Sequence, residues 1–173
     1  MKHFISYGSK ITNVLVALVF TLTIGAGVAS AVSPHFVNVS GTLNNDGSLS
    51  CTWKEAGLGD NQLINYTCSA QGTATYVCVN KGGSNPSAQN KTTVNGPVSA
   101  SGTFNSGKNG QITASLTLEP PPSDISCPKG QSLELAGVTY TNVQLTDTTN
   151  GVTGLSGATF STGCLLPDVR GAC

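Results

Sequence analysis

Three features of the sequence predict an all-β fold, a single antiparallel β-sandwich stapled by disulfides. Short stretches alternate apolar and polar residues at period two, Asp-Gly and Asn-Gly pairs punctuate them, and all six cysteines follow an apolar leader. The expected layering is immunoglobulin-like in architecture but not in sequence.

Residues 1–31 read as a signal peptide. Lys2, His3 and Lys10 precede an apolar run over residues 14–28 that contains Gly25 and Gly27. That run is shorter than the roughly 20 apolar residues a spanning helix needs. Ala29 and Ala31 supply the small residues that processing favours. Residues 32–173 are then expected as one secreted domain whose cysteines pair in an oxidising extracellular space, with no stable membrane insertion after processing.

Beyond Ala31, Gly, Ser, Thr and Asn supply 65 of 142 residues and charged side chains only 14. Long solvated helices, which need Glu, Lys, Arg and Ala on their wet side, are excluded by that balance, whereas threonine suits the wet face of strands. Lys2 and Lys10 leave with the leader, so six basic residues face eight acidic ones and no nucleic-acid surface is expected.

The strands follow in order. Residues 36–43 and 48–56 flank Asp46-Gly47 as a first hairpin. Residues 63–70 place Ile64, Tyr66, Cys68 and Ala70 on one face, and residues 73–80, apolar on both faces at Tyr76, Val77, Cys78 and Val79, read as central in a sheet. Residues 98–104 and 111–118, the latter alternating through Ile112, Ala114, Leu116 and Leu118, are expected to pair across Asn109-Gly110 as a second hairpin. Leu133 and Leu135 mark a short strand, and residues 138–147 and 152–160 flank Asn150-Gly151 as a third hairpin. The slip from Val138 and Tyr140 to Val143 and Leu145 predicts a bulge near Thr141 or Asn142.

Two connections are rich in breakers. Residues 80–91 hold Gly82-Gly83 and Asn85-Pro86, and residues 119–129 hold three consecutive prolines from Pro120. The first is expected as a binding loop, with Asn80, Asn85, Asn90 and Lys91 as its contact residues.

Six cysteines permit 15 pairings. Cys51 shares a strand face with Leu49 and Trp53, and Cys68 shares one with Ile64 and Tyr66 on the next strand, so Cys51 with Cys68 ranks first. Cys78, in a central strand, and Cys127, in the proline segment, rank next, because a loop with little core of its own gains most from a covalent tie. Cys164 with Cys173 would close the tail. No two cysteines stand two to four residues apart and His35 is the lone histidine beyond the leader, so no metal or other cofactor is expected.

That single histidine leaves no base for a nucleophile, and no catalytic residue is assigned. Carboxylates offer the alternative of a small secreted glycoside hydrolase, but Asp46, Asp60, Asp124 and Asp147 fall in or beside predicted turns, where aspartate serves the backbone. Trp53, Tyr66, Tyr76 and Tyr140 have the chemistry to stack on sugars; each falls on an apolar strand face and reads first as core.

Lys54-Glu-Ala-Gly-Leu-Gly59, Asn85-Pro-Ser-Ala-Gln-Asn-Lys91, Gly96-Pro-Val98 before Ser101-Gly-Thr-Phe104, and Cys127-Pro with Thr146-Asp-Thr-Thr-Asn-Gly151 resemble a group of small exported bacterial proteins over residues 49–160. The resemblance implies a β-rich secreted domain, places Cys78 and Cys127 at positions the group carries, and brings no activity with it. The function expected from all of this is a secreted extracellular or cell-surface binding or structural module of unknown ligand, with polysaccharide or cell-wall material as candidate partner. The alternatives are the carboxylate hydrolase and a secreted inhibitor or toxin-like factor acting through residues 80–91.

Overall fold

The computed structural model describes residues 33–80 and 88–173, so the leader and Asn85 lie outside the described residues. Seven strands form: β1 (His35–Leu43), β2 (Leu49–Ala56), β3 (Leu63–Asn80), β4 (Ala88–Asn105), β5 (Ile112–Leu118), β6 (Gln131–Asp147) and β7 (Val152–Ser161). They make two antiparallel sheets, β1-β2-β5 and β4-β3-β6-β7, packed face to face as a disulfide-stapled sandwich.

The first and third hairpins pair as the turn signals require. Between β1 and β2, Gly47 adopts φ 87° and donates its N–H to the Asn44 carbonyl at 3.0 Å. A Cβ at Gly47 would also strike the Leu135 side chain, so glycine is needed there for both backbone and space. Asp46 accepts the Ser48 N–H and hydroxyl, the usual service of an aspartate in a turn.

The second hairpin does not form. Residues 98–104 belong to β4 and residues 112–118 to β5, in different sheets, and β5 pairs with β2 instead. Period two marks each strand but not its partner, and the deciding residue is Ser106. Its hydroxyl donates to the Gly59 carbonyl at 2.6 Å and accepts the Gln62 N–H at 2.9 Å. The Leu58 N–H reaches the Gly110 carbonyl as well. The 105–111 connection is thereby lashed to the 57–62 connection, and both arch from one sheet to the other.

β3 merges two expected strands into one 18-residue strand, central between β4 and β6, and β6 likewise absorbs the short strand at Leu133 and Leu135. The bulge stands where the alternation slips: register shifts between Tyr140 and Val143, with Asn142 at φ 53°, a conformation asparagine tolerates. The expected 80–91 loop is narrower than its breakers suggest. β3 keeps its ladder to Asn80 and β4 begins at Ala88, so Asn90 and Lys91 are strand residues, with Asn90 at φ 51°.

Between the sheets lies a core built around Trp53, Tyr66, Leu49, Tyr140, Val143 and Leu145, all buried. Cys51 of β2 bonds Cys68 of β3 across it, Cys78 bonds Cys127, and Cys164 bonds Cys173. No cysteine is free, the state of an oxidising, extracellular-type environment. Among the described residues no helix is long and apolar enough to cross a membrane.

Loop-closure entropy ranks the bridges. Replacing Cys78 and Cys127 by alanine, which opens a sequence separation of 49, is expected to lower stability by about 4 kcal/mol. The Cys51 and Cys68 pair, at separation 17, should cost about 3 kcal/mol and the Cys164 and Cys173 pair, at separation 9, the least. Urea midpoints of the three double variants check the order, and a tail variant as unstable as the first would contradict it.

Candidate functional site

The rings considered for sugar stacking are structural. Trp53, Tyr66 and Tyr140 are no more than 1% exposed, and Trp53 packs on Tyr66 at 4.6 Å and edge-on to Phe104 at 5.3 Å. Tyr140 donates its hydroxyl to the Gly47 carbonyl at 2.9 Å, and Tyr76 donates to the Pro121 carbonyl at 2.9 Å. These phenols tie turns and the proline segment to the core; burial raises both above the ordinary phenol range.

Two carboxyls come together that sequence reasoning did not join. Along β2 the inward series Leu49, Cys51, Trp53 continues at period two to Glu55, and along β6 the series Val143, Leu145 continues to Asp147. Each series runs one step past its apolar part, so both carboxyls enter the interior, each fully buried, from opposite sheets. Asp147 accepts the backbone N–H groups of Thr149 and Asn150 at 2.8 and 2.9 Å and the Asn150 side-chain amide at 2.6 Å. Burial holds the Glu55 carboxyl above the ordinary carboxylate range; the Asp147 charge pushes the same way, while the Tyr66 hydroxyl and His35 oppose it. Glycoside hydrolysis needs two carboxyls facing a water-filled cleft. This pair has no exposed surface on either member.

The exterior offers a different arrangement. On the outer side of the four-stranded sheet, register places short polar side chains in cross-strand rows: Thr103 beside Asn65; Ser101, Thr67, Thr146 and Thr153; Ser99, Ser69 and Gln144; Pro97, Gln71 and Thr141; Asn95, Thr73, Thr139 and Ser161; and Thr93 beside Thr75. No charged residue stands in these six rows. Their side chains are already coupled: Thr103 donates to Asn65 at 2.6 Å, Thr67 and Ser101 lie at 2.8 Å, and Thr139 and Ser161 lie at 3.0 Å. Each coupled hydroxyl still has hydrogen-bonding capacity toward solvent.

Two open depressions mark the ends of this face. One, of about 320 Å³, runs between Thr73, Thr93, Thr139 and Ser161 and the Cys164–Cys173 hook, with Lys91 on its rim. The other, of about 400 Å³, is lined by Asn65, Thr67, Ser101, Thr103 and Thr148. Of the residues expected in a binding loop, Lys91 thus reaches a depression from β4, Asn80 ends β3, Asn90 is an exposed strand residue, and Asn85 is outside the described residues. The outer rows went unread as a site because Ser and Thr on a wet strand face are what strand propensity alone produces. Among the described residues no three His, Cys, Asp or Glu side chains gather as a metal site.

No protein-family model, curated protein or solved structure matches this chain.

Because Trp53 is the single tryptophan and is 1% exposed, its emission is expected to be blue-shifted, resistant to acrylamide quenching in the folded protein, and unchanged by added sugars. Quenching as efficient as in the urea-unfolded chain would place the indole in contact with solvent.

Proposed function

We propose that this chain is a secreted module of the extracellular space or cell surface that binds an uncharged, hydroxyl-rich polymer, polysaccharide or cell-wall glycan, on the outer face of its four-stranded sheet. The observation that carries this reading is the six-row face itself. Its six rows hold no charged residue, their hydroxyls are partly preset by mutual hydrogen bonds, and the face bears a depression toward each end, one of them with Lys91 on its rim. A neutral partner lying on the rows requires no ion to lose its hydration, and short Ser and Thr side chains lose little rotamer entropy when covered.

The leader over residues 1–31 and the full set of disulfides support export. The burial of Glu55 and Asp147 removes that pair as a candidate for hydrolysis, and Asn80 and residues 88–91 of the expected contact loop stand in strands. From Thr67 to Thr73 along β3 is six residues, about 20 Å. A polymer reaches both depressions at once, and each added unit gains further hydrogen bonds.

Binding to insoluble uncharged glycans and cell-wall fractions tests the site. Ser69→Glu combined with Thr141→Glu is expected to reduce retention at least tenfold without shifting the melting temperature, whereas Thr52→Glu on the opposite sheet is expected to leave it unchanged. Equal loss from both variants would remove the face from the reading. Export is tested separately: mass spectrometry of secreted material is expected to find an N-terminus at Val32, and an intact Met1 in a membrane fraction would overturn it.

A further inference from the structure

A chain of polar groups crosses the sandwich at the end where β2 and β6 finish. Trp53 and Glu55 come from β2, Tyr66 from β3 and Asp147 from β6, so the groups alternate between sheets. Tyr66 stands directly beside Asp147 in the β3-β6 register. All four residues are buried. Four of their polar atoms, Trp53 Nε1, both Glu55 oxygens and the Tyr66 hydroxyl oxygen, complete no hydrogen bond of good geometry among the described residues. Yet Glu55 lies within interacting reach of both the Tyr66 hydroxyl and the Asp147 carboxyl, and Tyr66 lies within reach of the Trp53 indole.

Asp147 is engaged as an acceptor, because its oxygens already receive two backbone N–H groups and the Asn150 amide. A proton then has one useful place. On Glu55 it would make that group a donor toward Asp147, leaving the second Glu55 oxygen to accept from Tyr66 and the phenol oxygen to accept from the indole. Without it, two carboxyl groups face each other in an interior where no Lys, Arg or His is buried among the described residues.

We infer that Glu55 is held protonated as a lock between the two sheets, and that loss of this proton releases the β2 and β6 ends of the sandwich. The other groups facing Glu55 fit the assignment. From β1, His35 is exposed and so exerts a screened effect; from β3 comes Tyr66 and from β6 Asp147; β5 presents the apolar Ile112 in register with Glu55.

The sign follows from linkage. The folded state keeps the Glu55 proton to higher pH than the unfolded chain, whose glutamate has its ordinary value of 4.5. Stability from the lock is therefore complete below that value and is lost as pH rises through the folded-state value. Asp46 works oppositely and in another window: the Ser48 side chain and backbone lower it below 3.8, so its contribution disappears only in stronger acid.

Thermal unfolding of the mature, disulfide-bonded chain and of Glu55→Gln, followed from about pH 4 to about pH 8, tests the lock. Wild type is expected to lose melting temperature across this range relative to Glu55→Gln, which keeps the donor and cannot ionise; the two curves should diverge as pH rises. Parallel curves would overturn the inference. Carbon-13 NMR of labelled glutamate in the wild-type protein gives a second reading that needs no variant. One glutamate carboxyl is expected to titrate above the others, and three glutamates titrating together at the ordinary value would also overturn it.

Discussion

The two sheets are unequal in length, and most of the architecture answers that inequality. β3, β4 and β6 run 18, 18 and 17 residues, whereas β1, β2 and β5 run 9, 8 and 7. The short sheet ends level with Gly72 and Tyr140, where Tyr140 bonds the carbonyls of Gly47 and Leu118. Past that level the long sheet would present apolar surface to water on its inner side. The proline segment fills the gap: Pro121 lies against Gly72, accepts the Tyr76 hydroxyl through its carbonyl, and the segment is anchored by Cys127 to Cys78. Three prolines give a stretch with few free N–H groups to satisfy, which suits a chain lying over a sheet without joining its ladder.

The outer side of the same overhang has a second cover. Val77 and Val79 continue the outward series of β3, and there they meet Ala136 and the tail residues Leu166, Val169 and Ala172. The tail bonds to β6 through Leu165 to Ala136 and to β4 through Ala88 to Arg170, and the Cys164–Cys173 bridge holds it bent. The outward series of β3 thus changes from polar to apolar in the overhang, so both faces need a cover there, and two disulfides secure the two covers. The third bridge, Cys51 to Cys68, belongs to the end where the sheets do face each other.

Period two and turn chemistry made the strands, two hairpins, the bulge at Asn142 and the ranking of the cysteines legible, because each depends on neighbours in sequence. What stayed hidden depends on tertiary partners. Asn109-Gly110 has the grammar of a hairpin, yet Ser106 finds Gly59 and Gln62 and turns the connection into an arch. Residues 80–91 have breakers at their centre, but the tail that lets β4 start at Ala88 lies more than 70 positions away. Glu55 and Asp147 were legible one step further than they were read, since each continues an apolar series at the strand period. Asp147 is both, a turn residue that serves the Thr149 and Asn150 N–H groups and the next, buried member of its strand's inward series.

The same alternation bears on what the surface can recognise. Inward positions take the tryptophan, Tyr66, Tyr140, the Cys51–Cys68 bridge and even two carboxyls, and the outward rows of the long sheet are left almost wholly to Thr, Ser, Asn and Gln. An array of this kind has no ring to stack and no ion to pair, so each contact is a neutral hydrogen bond with a net value of about 1 kcal/mol. Such bonds add to a useful affinity only when many form together on a support that does not deform. The long sheet provides the repetition, and the covalently fastened layers on both sides of its overhang provide the stiffness. On the proposed reading a small ligand would engage too few rows, so the geometry would select for length in a partner, and rigidity secured far from the rows would become part of its recognition.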